Sequence, residues 1–498
     1  MIECDILIVT VPVTDTGDKP LQAPAVLSAV VKKEGYTAKI MDLNHQFHKL
    51  EKVDKEKYDM LKNYFMMGSL LDVTKYQAVE QYVESVIDDI LETTRPRFLA
   101  VSVFTYLCQK FAEILAEKIK ARKTEIKIIF GGMGLQSQGI NSSFEWPERL
   151  KSAGIIDYYI ASEGEKSLLN LLGQGKGPGI NNTDWEQQTD LDQIVYPDYS
   201  DYNFNDYNTK QLMITGSRGC VRKCTFCDIH NHWKKFVFRS GESIADEMIT
   251  QSKKYGIYDF MFTDSLVNGS MKAYRQFVTV LAEYNKTAQN KITWNGQFIV
   301  RGIKQMNEED WRLTKESGAT CLFLGIESGS ESVRDHMQKK FLDDDMDEFM
   351  EQAFKNRVKC LFLIIVGYLN ETHKDFLQTL KMFKRYTKYQ EIMDPVACGT
   401  TLGILPGTGV WTDHMDDISL NGGENFWTYK YNPGLDFRER IKRRIIMEEE
   451  LLKMGYEISG SERNFKFLHF LWNVYKNSKQ QTMVQTDTSG LLKDQRYS

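Results

Sequence analysis

At 498 residues, with 42% hydrophobic and 26% charged side chains, the chain is expected to form roughly two to four domains and is too apolar to be disordered as a whole. A formal net charge of -5 gives it no whole-chain basic footprint, so nucleic acid is not an expected partner. Five of its eight cysteines are scattered singly in apolar runs, which argues against a disulfide framework; the acidic start Met1-Ile2-Glu3-Cys4-Asp5 is unlike a signal peptide, and the longest apolar run, 360–369, is about half a membrane span. These features predict a cytoplasmic protein with no membrane span.

Residues 5–11 form a β-branched run that ends at Pro12 and empties into a turn-rich loop, as a buried strand does. A helix follows, with Pro24 near its start, apolar residues at Val26, Leu27, Val30 and Val31, and Gly35 as its stop. Further strands are predicted at 36–41, 98–104, 126–130 and 155–160, with a helix at 111–119. This alternation predicts a doubly wound parallel sheet whose ligands lie beyond the carboxyl ends of the strands. Residues 51–90 are polar with helical periodicity and read as an insertion covering a sheet face or edge. Gly131-Gly132 either lets a ligand approach the backbone or makes a turn, and His45 and His48 are expected to be solvated.

The order of features here is a helix opening Gln22-Ala23-Pro24, then Asp42-Leu43-Asn44, Gly131-Gly132 and Ser162-Glu163-Gly164-Glu165. It resembles the cobalamin-binding domain that precedes many radical SAM modules, over about residues 1–173. The resemblance implies cobalamin contacts from Thr14, Asn44, Thr105, Gly131, Gly132, Glu163 and Gly164. The Asp-x-His-x-x-Gly signature of cobalt-ligating relatives is not met: Asn44 stands at the His position, His45 is out by one, and Phe47 replaces the Gly. No side chain of that motif is therefore expected to ligate cobalt.

Domain boundaries are expected at 1–178, with a linker at 179–207, a barrel at 208–412 and a mostly helical segment at 413–498. Within the linker, Tyr196-Pro197-Asp198 is expected to fold against the following domain. Strands predicted at 212–215, 258–262, 292–297, 320–325, 358–366 and 396–402 alternate with helices at 244–254, 272–283, 308–316, 346–355 and 374–386. Six such units make a partial, open version of the eight-fold barrel, with its site at the strands' carboxyl ends. After Trp411 the alternation stops; 437–454 reads as a highly charged helix, and the aromatic stripe at 465–475 reads as a helical cap or, through Trp472 and Tyr475, a pocket wall.

The first barrel strand delivers Gly216-Ser217-Arg218-Gly219-Cys220-Val221-Arg222-Lys223-Cys224-Thr225-Phe226-Cys227. Three thiolates suit an iron–sulfur cluster with one iron left open, whereas His230 and His232 keep a closed Cys3His zinc site in play. The neighbouring cations are expected to depress the thiol pKa values. The Cys-x3-Cys-x2-Cys spacing, with an aromatic before the last cysteine, resembles the radical SAM superfamily. So do Phe262-Thr263-Asp264-Ser265, Gly325-Ile326-Glu327-Ser328-Gly329 and Gly367-Tyr368-Leu369-Asn370-Glu371-Thr372 at later strand ends, although Leu369 and Asn370 replace the usual Pro and Gly.

The resemblance implies a [4Fe–4S] cluster on Cys220, Cys224 and Cys227, with S-adenosyl-L-methionine (SAM) contacted by Phe226, Asp264, Arg301, Glu327 and Gly367. Asp264 and Glu327 also admit a simpler reading as caps of the following helices. What is implied is reductive cleavage of SAM to a 5′-deoxyadenosyl radical, fed by an electron donor such as a flavodoxin or ferredoxin, with cobalamin-dependent methylation of an unactivated carbon in a small molecule or peptide. The alternatives are a cyclase or rearrangement enzyme with a vestigial cobalamin domain, an RNA methylthiotransferase, which needs a second cysteine set, and a zinc-stabilised binding protein.

Overall fold

The computed structural model describes residues 2–12, 17–67, 73–122, 125–136, 143–161, 163–173, 175–184, 187–302, 304–420 and 426–459. The described residues divide into two compact units, one within 1–188 and 193–213, the other within 189–192 and 214–459. Thr14, the aromatic stripe at 465–475 and the tail lie outside the described residues. Among the described residues, no helix is long and apolar enough to cross a membrane.

In the first unit, β1 (Ile2–Thr10) leads to α1 (Gln22–Lys33) and β2 (Ala38–Asp42). Then come α2 (Leu43–Val53), α3 (Lys55–Met67), α4 (Val73–Thr93), β3 (Thr94–Ser102), α5 (Gln109–Arg122), β4 (Lys127–Gly131), α6 (Glu145–Ser152), β5 (Tyr158–Ile160) and α7 (Gly164–Gly173). The sheet order is β2-β1-β3-β4-β5 and every pair is parallel. The predicted insertion is the crossover itself. β2 and β3 flank β1 on opposite sides, so the chain must cross β1, and it does so through α2 to α4. Tyr58, Leu61, Phe65, Val79, Val83 and Ile87 bury their apolar stripe in the same cluster as Leu7, Val9, Leu99 and Val101.

The stretch read as a linker is docked rather than free. Asp198 takes the Lys32 ammonium at 2.7 Å and donates its N–H to the Ala25 carbonyl, Asp201 takes Lys39 at 2.7 Å, and Tyr199, Tyr202 and Tyr207 are buried. The aromatic run thus packs on the first unit, contrary to the expectation that Asp198 folds against the domain that follows. Its acids meet lysines of α1 and β2, and its tyrosines supply the apolar surface.

The second unit's sheet starts at β6 (Leu212–Ile214). A hairpin of β7 (Ser217–Arg218) and β8 (Val237–Phe238) encloses the short α8 (Ile229–His232). Then follow α9 (Gly241–Tyr255), β9 (Asp259–Phe262), α10 (Met271–Thr287), β10 (Thr293–Phe298), α11 (Glu308–Glu316), β11 (Ala319–Glu327), α12 (Glu331–His336), α13 (Asp343–Lys355), β12 (Lys359–Val366), α14 (His373–Tyr386) and β13 (Met393–Thr401). The six long strands stand in chain order, β6-β9-β10-β11-β12-β13, the order that successive crossovers of one hand produce. After α15 (Gly409–His414), the strands β14 (Ile418–Leu420) and β15 (Trp427–Tyr429) form an antiparallel pair before α16 (Phe437–Lys453). The segment read as helical therefore also holds a hairpin, too short to show as a period in the sequence.

Candidate active site

The cysteines sit on the loop between β6 and β8, closed at its base where the Arg239 N–H donates to the Gly216 carbonyl at 2.8 Å. Gly219 has φ +84°, and a Cβ there would lie 2.5 Å from the Lys235 carbonyl oxygen, so only glycine lets the two arms of the loop meet. Further along, the Thr225 N–H donates to the Met337 carbonyl, its carbonyl accepts from the Val410 N–H, and its hydroxyl pairs with the Tyr368 hydroxyl at 2.6 Å. The segment between the second and third cysteines is thus fixed by three later parts of the chain.

Cys220, Cys224 and Cys227 are free and partly buried. Contrary to the expected depression, burial pushes all three thiols up: at Cys220 and Cys224 desolvation outweighs the nearby cations, and at Cys227, pushed to about 11, the neighbouring Asp228 adds to it. Bound metal is what deprotonates such thiols. The two histidines that could complete a Cys3His set make other contacts: a His230 ring nitrogen lies 2.7 Å from the Arg222 carbonyl oxygen, and His232 faces Asp228 at 3.5 Å. Zinc would draw its ligands within about 2.3 Å of one point. Among the described residues, no three His, Cys, Asp or Glu side chains are placed to hold a single ion.

Neither acid caps a helix. Asp264 is buried, accepting from the Gly216 N–H at 2.8 Å and the Ser217 hydroxyl at 2.9 Å, and burial pushes it up to about 7. It anchors the start of the cysteine loop instead of presenting an open carboxylate. Glu327 ends β11 at φ +64°, an unusual backbone for a side chain of its size. It pairs with Lys339 at 3.0 Å, with the two side chains 10% and 11% exposed.

Sequence reasoning missed Lys339, which follows α12 with no signal beyond two adjacent lysines. Its neighbours Gln338 and Lys340 both have positive φ, so the lysine is held inward by strained backbone. The pair lies over Gly325, where a Cβ would meet Glu327 Oε1 at 2.6 Å and Lys339 Nζ at 2.8 Å. Lys339 stands 5.9 Å from the Phe226 ring centroid, and its charge acts on Cys224 and Cys227. Cysteines, aromatic, glycine and ion pair therefore form one cluster.

Gly367 has φ +83°, and its N–H donates to Glu371, which burial pushes up to about 7 and which Arg443 holds at 2.8 Å. Arg301 is spent on the backbone: its guanidinium donates to the carbonyls of Asn268 and Gly269 and to the Gln305 side chain, pinning the loop after β9.

In the first unit, Asp42 ends β2, accepts from the Thr10 hydroxyl at 2.6 Å and the Tyr207 hydroxyl at 2.8 Å, and caps α2 through the His45 N–H. His45 is buried, not solvated. Its ring stacks on Tyr207 at 4.0 Å, Nδ1 lies 2.6 Å from the Gly17 carbonyl oxygen, and Nε2 is buried with no partner. His48 is half-buried with its Nδ1 3.1 Å from the Tyr58 hydroxyl oxygen, and Asn44 is buried. Gly132 has φ +111° and fits tightly against the Val103 carbonyl, whereas the Cβ position of Gly131 is open. Glu163 accepts the Gln188 N–H at 2.5 Å, and Gly164 starts α7 against Leu27.

Next to Gly131, half-exposed Thr105 and the exposed Phe104 and Met133 line the carboxyl edge of β3 and β4, beside the point between β1 and β3 where the strand order reverses. The open glycine and two exposed apolar side chains suit a broad, flat ligand lying on the strand ends.

Residues 214–383 match the Radical SAM superfamily. Among curated proteins, the chain is 23% identical over 348 residues to the anaerobic magnesium-protoporphyrin IX monomethyl ester cyclase of Rubrivivax gelatinosus, covering 65% of this chain and 60% of that one. It is 28% identical over 192 residues to the cytidylyl-2-hydroxyethylphosphonate methyltransferase of Streptomyces wedmorensis, covering 35% of this chain and 34% of that one. The chain thus spans 60% and 34% of the lengths of these two relatives. Among solved structures, the cobalamin-dependent SAM radical enzyme OxsB, with aqua-cobalamin and SAM bound, aligns with 99% of this chain and 75% of its own at a TM-score of 0.64 and 14% identity.

Proposed function

We propose that this chain, whose residues 214–383 form a radical SAM domain, cleaves SAM reductively and uses the resulting radical for cobalamin-dependent methylation of an unactivated carbon. The observation that carries the reading is the cluster built by Cys220, Cys224 and Cys227 with the Lys339–Glu327 pair seated on Gly325. An ion pair beside three unshared thiols is complementary to the amino-acid end of SAM: Glu327 accepts from its α-ammonium and Lys339 donates to its carboxylate. Phe226 lies alongside and offers its ring to the adenine. Asp264 holds the start of the cysteine loop and Tyr368 holds it at Thr225, between the second and third cysteines, so the thiols are presented with little reorganisation.

When bound, a [4Fe–4S] cluster on these thiols supplies one electron to SAM, and cobalamin on the strand ends of the first unit supplies a methyl carrier. The residues that would hold cobalamin are Thr105, Gly131 and Gly132, with the exposed Phe104 and Met133 offering apolar surface beside them. Similarity to the OxsB fold across both units supports the cobalamin half. An RNA methylthiotransferase needs a second cysteine set in the first unit. Cys4 lies in β1 near its amino end, whereas Cys108 follows the carboxyl end of β3, so the two are at opposite edges of the sheet.

A cyclisation is the second reading, favoured by the Rubrivivax gelatinosus relative. Anaerobic reconstitution with iron, sulfide and cobalamin decides among these. Expected are one four-iron cluster, one cobalamin, deoxyadenosine release, and a deuterated methyl group passing from labelled SAM to product. Iron uptake with no retained cobalamin would remove the methylation half, and deoxyadenosine release with an unmethylated ring-closed product would favour cyclisation.

A further inference from the structure

The lobe that carries the cysteines has a charge unlike the rest of the chain. Residues 216–239 hold Arg218, Arg222, Lys223, Lys234, Lys235 and Arg239 against one acid, Asp228, within a chain of net charge -5. Arg239 turns inward to Glu247 at 2.5 Å. The other five share one compact lobe, because its two arms are packed on each other. The Arg218 guanidinium lies over the Trp233 ring at 5.6 Å, the Arg222 carbonyl meets His230, and Gly219 rests on the Lys235 backbone.

Lys223, Lys234 and Lys235 are exposed, as are two apolar side chains of the same lobe, Val221 at 44% and Phe238 at 46%. Val221 adjoins Cys220 and Lys223 adjoins Cys224 in the chain. Anything resting on this face therefore lies one residue from two of the three thiols.

We infer that this face docks a small acidic one-electron carrier protein. The inference rests on the radical SAM reading, which requires an electron for each cleavage. The step moves one electron and no atoms: the carrier is oxidised by one electron and the cluster on the three thiols is reduced by one. A local basic lobe on an acidic chain steers an acidic partner here and away from the remaining surface. Electron-transfer encounters need little area, under about 1,200 Å² in total, which one lobe can provide. Val221 and Phe238 give the encounter an apolar centre inside a cationic rim.

The test uses the full reconstituted chain, an acidic flavodoxin and an acidic ferredoxin. The lobe variant carries Lys234→Glu and Lys235→Glu, which leave the cysteine loop itself untouched; a control carries Lys381→Glu and Lys384→Glu, an equal change in net charge on exposed helix positions. Biolayer interferometry should show carrier affinity about tenfold weaker in the lobe variant, with the control near wild type and the difference shrinking as salt is raised. Iron content and dithionite-driven deoxyadenosine release should match wild type in both variants, while carrier-driven release falls only in the lobe variant.

Equal carrier affinity in the lobe and control variants, with dithionite-driven release intact, would overturn the docking surface and leave the function standing. Wild-type protein that releases no deoxyadenosine even with dithionite would overturn both. An RNA oligonucleotide that binds wild type more tightly than either carrier, and is lost in the lobe variant, would assign the face to nucleic acid and overturn the inference.

Discussion

Replacing Lys339 with methionine tests the cluster at its least expected member. The substitution keeps the aliphatic stem but leaves the Glu327 carboxylate without its partner at 3.0 Å, in a site where it is 10% exposed. Breaking a buried pair from one side costs about 3–5 kcal/mol, and the remaining exposure places this case near the lower figure. Lys339→Met should therefore destabilise the barrel by about 3 kcal/mol in anaerobic urea unfolding of metal-free protein. The double variant with Glu327→Gln should recover most of that, since no buried charge remains.

SAM affinity should not recover in the double variant. Losing one charge-assisted hydrogen bond of about 1.5–3 kcal/mol weakens binding about 10- to 150-fold. Equilibrium binding of SAM to reconstituted protein reads this directly. A single variant that unfolds within about 1 kcal/mol of wild type and binds SAM with unchanged affinity would refute the argument from the ion pair.

Three more outcomes follow from the same geometry. Asp264, held up to about 7 by burial against 3.8 unfolded, keeps a proton when folded that it loses when unfolded, so its contribution to stability is greatest at low pH and is lost as pH rises toward 7. Asp264→Asn should gain on wild type between pH 5 and 7 in a denaturation series, whereas a constant difference would count against the assigned protonation. Gly367→Ala should cost about 2 kcal/mol or more in urea unfolding, from a left-handed backbone and a Cβ 2.4 Å from Arg440 Cγ; a neutral result would mean that Arg440 is not fixed there. Tyr456→Phe removes the buried hydrogen bond to the Phe383 carbonyl, about 1 kcal/mol, and Tyr368→Phe removes that to Thr225 together with a longer one to His336; only the second touches the cysteine loop, so only it should speed iron release to a chelator.

In the first sheet, β1 and β4 were legible because parallel strands buried on both faces read as continuous apolar runs; in the second, β12 alternates buried and part-exposed residues yet is still apolar throughout, and it departs from the predicted 358–366 by a single residue at its start. The cysteines were legible because their spacing is local. What escaped was whatever depends on side chains meeting across the fold. Lys339 resembles any surface lysine until strained backbone on either side turns it inward. Asp264 sits at the expected strand end, yet its lone pairs are taken by Gly216 and Ser217, two residues that a linear reading places 48 and 47 positions away. His45 was expected in solvent because histidines are seldom fully buried, but the docked Tyr207 covers it.

The charged helix α16 shows how far the support for the thiols reaches. Three of its four arginines face inward: Arg440, Arg443 and Arg444 are buried together with Glu448, while Arg438 is exposed. The Arg440 guanidinium lies 3.7 Å from the Trp427 ring centroid, its stem packs on Gly367, and burial pulls it down to about 9. Arg443 holds Glu371, and Glu371 accepts the Gly367 N–H. Tyr368, next in the chain, holds the Thr225 hydroxyl between two cysteines. Cations that a helical wheel would assign to solvent are thus the outer end of a continuous path to the metal-binding loop. Because the Arg443–Glu371, Glu371–Gly367 and Tyr368–Thr225 links are buried polar contacts that cannot be traded for water without loss, the loop that carries Cys224 and Cys227 is supported by residues more than 200 positions downstream. The incomplete ligand set is local in the sequence, but its rigidity is a property of the whole barrel unit.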